Sequence, residues 1–119
     1  DTVLMATGRR PNVESLGLEN TGIQYDTQGI AVNEKLETSE KGIYAIGDVI
    51  GKPMFAHWAT AQGLALARYL LGKPVMFPDV ATNTAVIFSS PEIGIAGLSE
   101  QQAIQTGMDL QVARYDFKQ

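Results

Sequence analysis

The feature that most constrains this chain is the run Thr38-Ser39-Glu40-Lys41-Gly42-Ile43-Tyr44-Ala45-Ile46-Gly47-Asp48-Val49. Four consecutive apolar residues, Ile43 to Ile46, read as a strand buried on both faces, because a half-solvated strand would alternate apolar with polar. Gly47 lacks the Cβ that would keep another group away from the backbone. Asp48 then stands at a sheet edge, where ligands bind, and offers one carboxylate to a hydroxyl-rich group. Pro53 opens a long helical pattern, so the loop after Asp48 would deliver a ligand onto a helix N-terminus whose free N–H groups favour negative charge. A lone aspartate most often caps a loop or helix; here the whole run, not residue 48 alone, points to ligand binding.

The flanking segments give the rest of the organisation. Asp1 to Thr7 is an extended, apolar run, and Pro11 breaks it by restricting Arg10 and removing a donor. Glycines at 17 and 22 limit Val13 to Gly22 to a short helical turn. Asp26-Thr27-Gln28-Gly29 is a turn signal, followed by a short strand over Ile30 to Val32 with Leu36. After Pro53, Ala56, Ala59, Gly63, Leu66 and Leu70 recur at helical spacing and offer a smooth face to a neighbour. Gly72-Lys73-Pro74 stops that helix, and Val75 to Asn83, with Pro78, reads as a linker. Thr84 to Phe88 and Ile93 to Ala96 read as antiparallel strands joined by Ser89-Ser90-Pro91-Glu92. Ser99 and Gln102 form a capping box, Gly107 ends the helix, and Leu110 to Tyr115 begins another strand.

Composition excludes several classes. The chain has 119 residues, 45% of them hydrophobic, and a formal charge of -4, which suit a soluble domain. The nine basic residues are scattered, which gives no nucleic-acid surface, and no apolar run approaches a membrane span. A cytoplasmic protein is the default, and nothing suggests a metal site. An extended apolar run at each end implies a piece of something larger, whose flanks supply the missing strand partners.

Thr38-x-x-x-Gly42-Ile43-Tyr44-Ala45-Ile46-Gly47-Asp48 resembles the second FAD-binding motif of flavoproteins with two dinucleotide-binding domains. Ala6-Thr7-Gly8-Arg9-Arg10-Pro11-Asn12 resembles the exit from their NAD(P) domain. Pro53-Met54-Phe55-Ala56-His57, with Ser90-Pro91-Glu92-Ile93, resembles the pyridine nucleotide-disulfide oxidoreductases, in particular the dihydrolipoamide dehydrogenase and glutathione reductase group. The resemblance spans nearly the whole chain. It implies an α/β fold: residues 1–12 end an NAD(P)-binding domain, 13–80 form the C-terminal segment of an FAD-binding domain, and 81–119 start an α+β dimerisation domain.

It also implies a homodimeric enzyme that passes electrons between NAD(P)H and a small disulfide or lipoyl group through FAD and a cysteine pair. Those cysteines, and the family's catalytic His-Glu pair, belong to regions this chain does not contain, so no catalytic residue is assigned and the chain alone is expected to be inactive. Asp48 would bind the FAD ribitol, Met54, Phe55, Ala56 and His57 would line the flavin through backbone groups, and Gly8 would face the nicotinamide cofactor. His57 is the single histidine, and a lone histidine is more often a packing or hydrogen-bonding residue than an acid-base group. Trp58 to Gln62 departs from the acidic helix start usual in the dihydrolipoamide group, which leaves glutathione, mercuric ion or coenzyme A disulfide open. An NAD(P)H oxidase or ferredoxin-type reductase, and a non-catalytic dimerising module, are the alternatives.

Overall fold

The computed structural model of the chain describes residues 1–51 and 53–116; residues 117–119 of the 81–119 segment lie outside them. The chain forms two compact units, Asp1–Pro78 and Asp79–Gln119.

In the first unit, β1 (Tyr25–Asp26) and β2 (Gly29–Ile30) pair antiparallel, Tyr25 opposite Ile30 and Asp26 opposite Gly29. The turn forms where Asp26 Oδ1 accepts the Gln28 N–H at 2.6 Å, an Asx turn that the sequence announces. A short 3-10 turn, Leu18–Asn20, precedes the hairpin. Leu18, Ile23, Ile30 and Ala45 form the core, with Val13, Val32, Val49 and Ile50 packed against it. The hairpin presses closely on the chain near Ile50: a Cβ on Gly29 would lie 2.6 Å from Val49 O and 2.9 Å from Gly51 N. Only a glycine admits that approach.

The strand expected over Ile30 to Val32 with Leu36 ends at Ile30. Asn33 diverts the backbone, its Oδ1 accepting the N–H groups of Lys35 (2.9 Å) and Glu37 (3.1 Å). Leu36 takes a left-handed φ of 65° there, a costly conformation for a leucine that its burial in the first unit offsets.

Ile43 to Ile46 do not form a strand buried on both faces. Their ladder is one antiparallel bridge, Glu37 to Tyr44; Ala45 is buried and Ile43 is 46% exposed. A doubly buried strand needs hydrogen-bonded neighbours on both edges, and the described residues supply a single one. For the same reason neither Asp1 to Thr7 nor Leu110 to Tyr115 forms a strand among the described residues, and Val3, Leu4 and Met5 are exposed.

Helix α1 (Ala56–Leu70) is the longest element. Its buried residues are Trp58, Gln62 and Ala65, and beside them the expected smooth row meets a neighbour at Ala59, against Gly47, and at Gly63, against Ile46. The end members of that row, Ala56 and Leu70, are exposed, and the Trp58 ring gains most from leaving water. Gly72, at φ 66°, ends the helix, and Arg68 donates to Pro74 O from Nε and Nη2. Lys35 Nζ lies 5.4 Å from the Tyr69 ring centre, and Tyr69 packs edge-on against Phe77.

In the second unit β3 (Thr84–Ile87) and β4 (Ile93–Ala96) pair antiparallel, Thr84 opposite Ala96. Helix α2 (Glu100–Gln105) follows with both halves of its capping box formed by Ser99 and Gln102. The expected order of two strands and a helix is present; the final strand is not formed among the described residues. No helix among them is long and apolar enough to cross a membrane.

Ser99→Ala removes the cap and is expected to destabilise α2 by about 1 kcal/mol, read as faster amide exchange over residues 100–105. Partial burial, then the Glu37 carboxylate, raises the Tyr44 hydroxyl above its ordinary value of 10.0. A raised value means that the folded state holds this proton more tightly than the unfolded state does. The group's contribution is therefore complete below the unfolded value and is lost as pH rises through the folded one. Tyr44→Phe is expected to remove the component of an alkaline absorbance titration lying above pH 10.0.

Candidate functional site

The site is a turn held against a helix. Residues 38 to 43 form a closed loop: Thr38 N donates to Ile43 O (2.8 Å) and Ile43 N to Glu40 O (3.1 Å). Thr38 Oγ1 accepts the Glu40 N–H at 3.1 Å, and Glu37 Oε1 accepts the Gly42 N–H at 2.8 Å. Ser39 and Glu40 fasten this loop to Gly22 and Gln24. Ser39 Oγ accepts the Gln24 N–H and donates to Gly22 O, each at 2.8 Å, while Glu40 Oε1 accepts the Gly22 N–H at 2.8 Å. Thr38 through Gly42, the polar half of the motif, thus aim the chain rather than touch a ligand.

The chain then enters a 3-10 turn, Gly47–Ile50, that carries Asp48 in its first position after Gly47. Asp48 therefore sits on a helical turn instead of at a strand edge. Gly47 is buried with φ 73°, and a Cβ placed on it would lie 3.1 Å from Ala59 Cβ of α1. A side chain there would meet both a left-handed backbone and a tight neighbour. The buried side chain of Gln62, one helical turn further along α1, accepts the Gly47 N–H through Oε1 at 2.8 Å. Gln62 was not singled out from the sequence. Its only signal there is a polar residue four positions after Trp58 and three before Ala65, inside an apolar stripe.

Asp48 is exposed, and among the described residues none hydrogen-bonds its carboxylate. Phe55 is the N-cap of α1 without a side-chain cap bond, and no acidic residue occupies the first turn. The first turn of this 15-residue helix therefore carries no side-chain carboxylate, and the positive end of the helix dipole favours an anionic group. The Phe55 and His57 rings stack, 5.4 Å between centres. Arg9 Nη2 donates to Met54 O at 2.9 Å, which brings the segment carrying Gly8 to the start of α1. Gly8 has φ 105° with open space where a Cβ would lie, so its backbone conformation alone accounts for a glycine. Arg10 pairs with Glu14 in the open, at 2.9 Å.

The structure therefore brings the turn bearing Asp48 against α1, with Met54, Phe55, Ala56 and His57 on the continuous stretch that opens the helix. A cleft of about 400 Å3 lies on the hairpin side, lined by Tyr25, Asp26, Gly29, Val32 and Ile50 among others, and none of these candidate residues lines it. Exposure at the turn, rather than enclosed volume, marks the site: an exposed carboxylate on a turn that packs on α1 at Ala59 and Gln62.

Comparison with known proteins gives consistent findings. A family model for the pyridine nucleotide-disulphide oxidoreductases matches residues 1–63, and one for the dimerisation domain of the same enzymes matches residues 84–119. The dihydrolipoyl dehydrogenase of Pseudomonas aeruginosa is 42% identical over 117 residues, which cover 98% of this chain and 25% of that protein. Among solved structures, LpdA from Mycobacterium tuberculosis matches with a TM-score of 0.75 and 36% identity, over 87% of this chain and 23% of the other. An HOCl-induced flavoprotein disulfide reductase from Escherichia coli matches with a TM-score of 0.75 and 30% identity, over 89% of this chain and 25% of the other. The chain thus spans about a quarter of the length of these relatives.

Gly47→Ala is expected to cost about 2 kcal/mol, combining a left-handed conformation with the Ala59 contact, measured as a lowered denaturation midpoint. Pairing it with Ala59→Gly should recover the steric part and leave the conformational part.

Proposed function

Because the chain belongs to the pyridine nucleotide-disulphide oxidoreductase family, we propose that it is part of a flavoenzyme that moves electrons between NAD(P)H and a disulfide. The enzyme is most like dihydrolipoyl dehydrogenase, the activity named for relatives about 40% identical to this chain. FAD supplies the two-electron relay when bound. The substrate is a small disulfide or a lipoyl group, and the enzyme acts in the cytoplasm. Residues 1–12 end the NAD(P) domain, 13–80 belong to the FAD domain and 81–119 begin the dimerisation domain of a homodimer.

The observation that carries this proposal is the exposed Asp48 carboxylate on a turn packed against α1 at Ala59 and Gln62, in a helix whose first turn holds no acidic side chain. An ionised carboxylate accepts strong hydrogen bonds from hydroxyls, which suits the ribitol chain of FAD. The N–H groups at Ala56 and His57, with the helix dipole behind them, favour negative charge on the ring system when it is reduced. Met54, Phe55, Ala56 and His57 act through their backbone, and Gly8 faces the nicotinamide. Arg9 steadies the same stretch by holding the Met54 carbonyl.

Asp48→Asn in the full chain is expected to weaken FAD binding by about 10- to 100-fold, the worth of charge-assisted hydrogen bonds, measured by titrating apoprotein with FAD. The wild-type holoprotein is expected to reduce lipoamide with NADH faster than glutathione disulfide with NADPH. Unchanged FAD affinity in Asp48→Asn would remove Asp48 from the site, and NADH consumption that requires dioxygen instead of a disulfide would make the enzyme an oxidase.

A further inference from the structure

We propose that Gln62 is a positioning residue for the flavin site, acting through the Gly47 amide to set where Asp48 points; this rests on the reading of the Asp48 turn as the FAD site. Gln62 is 4% exposed and lies on the inward stripe of α1 between Trp58 and Ala65. A polar side chain in that stripe costs stability unless it is hydrogen-bonded, and its Oε1 takes the Gly47 N–H at 2.8 Å, bridging fifteen residues of sequence.

The bond sits at the one place where it can govern the carboxylate. Asp48 follows Gly47 directly, and the 3-10 turn is too short to hold its own orientation. Gly47 has no side chain with which to lock itself, its φ of 73° is open to glycine in either hand, and Ile46 before it has no side-chain cap bond to offer. Gly47 itself meets α1 in two ways, by steric approach to Ala59 and by the amide bond to Gln62. The first limits distance. The second adds direction, because a hydrogen bond weakens steeply when its donor swings away. Gln62 thus carries the rigidity of the helix to a carboxylate that touches the cofactor, without touching it itself.

The role requires an acceptor at Oε1 and no particular charge, which defines the test. Gln62→Met keeps the length of the side chain and removes the acceptor; Gln62→Glu keeps the acceptor. In the full chain, FAD affinity, melting temperature of the apoprotein and exchange of the Gly47 amide are measured for both, beside Asp48→Asn. Gln62→Met is expected to weaken FAD binding by about tenfold or more and to speed exchange at Gly47, whereas Gln62→Glu stays within about threefold of wild type with the amide protected. A purely structural glutamine would lower the melting temperature of Gln62→Met and leave FAD affinity unchanged; that result, with Asp48→Asn impaired, overturns the proposal and spares the FAD site. Should Gln62→Met fail to fold, Gln62→Glu decides: retained affinity with a protected amide supports the role, and lost affinity with a protected amide overturns it. Wild-type FAD affinity in Asp48→Asn would instead overturn the site on which both rest.

Discussion

The structure of the first unit turns on one contact, the backbone of Gly47 against helix α1. Its N–H meets Gln62 and its Cα lies close to Ala59, so the chain leaving the core at Ala45 is committed to a fixed exit. That commitment places Val49 and Ile50 where the hairpin can pack on them, and it lets Gly29 come within a backbone's thickness of Val49 and Gly51. The loop that follows is held at its far end by Arg9 on the Met54 carbonyl. Segments far apart in sequence thus hold a stretch whose described residues form only one short 3-10 turn.

Much of the local structure was legible because its causes are local. The Asp26 turn, the Gly72 stop and the Ser99 and Gln102 box each depend on residues within a few positions of one another, and each formed as expected. The strand over Ile43 to Ile46 misled because four apolar residues in a row state only that something must cover them, not that hydrogen-bonded neighbours exist. The inward stripe of α1 was ambiguous for a related reason. Two adjacent rows satisfy the same periodicity, and both are used: Trp58, Gln62 and Ala65 are buried, and Ala59 and Gly63 meet Gly47 and Ile46. Gln62 was missed because its partner, the Gly47 amide, is invisible to any pattern of side chains.

The motif that drew attention to the site divides into two halves with different physics. Thr38, Ser39 and Glu40 spend their hydrogen-bonding capacity on the backbone around Gly22 to Gln24 and on their own loop. Asp48 is exposed, and among the described residues none hydrogen-bonds its carboxylate. A polar residue that satisfies itself within the chain contributes to shape, and one that does not is either solvated or reserved for a ligand. The first turn of α1 holds no acidic side chain, so no carboxylate of the helix's own offsets its dipole there.

The second unit is governed by a different constraint. Val86, Ile87, Ile93 and Ile95 are each nearly half exposed on a two-stranded sheet, and among the described residues only Ala103 of α2 is buried there. A lone hairpin with apolar residues on its surface is marginal in water, so this unit's strands need further protein to cover them. The match of residues 84–119 to a dimerisation domain names the kind of surface that would do so. Apolar area that burdens a solitary hairpin becomes the driving force once a partner face removes it from water. The same side chains account for the thin core of this unit and for the apolar surface it leaves in water.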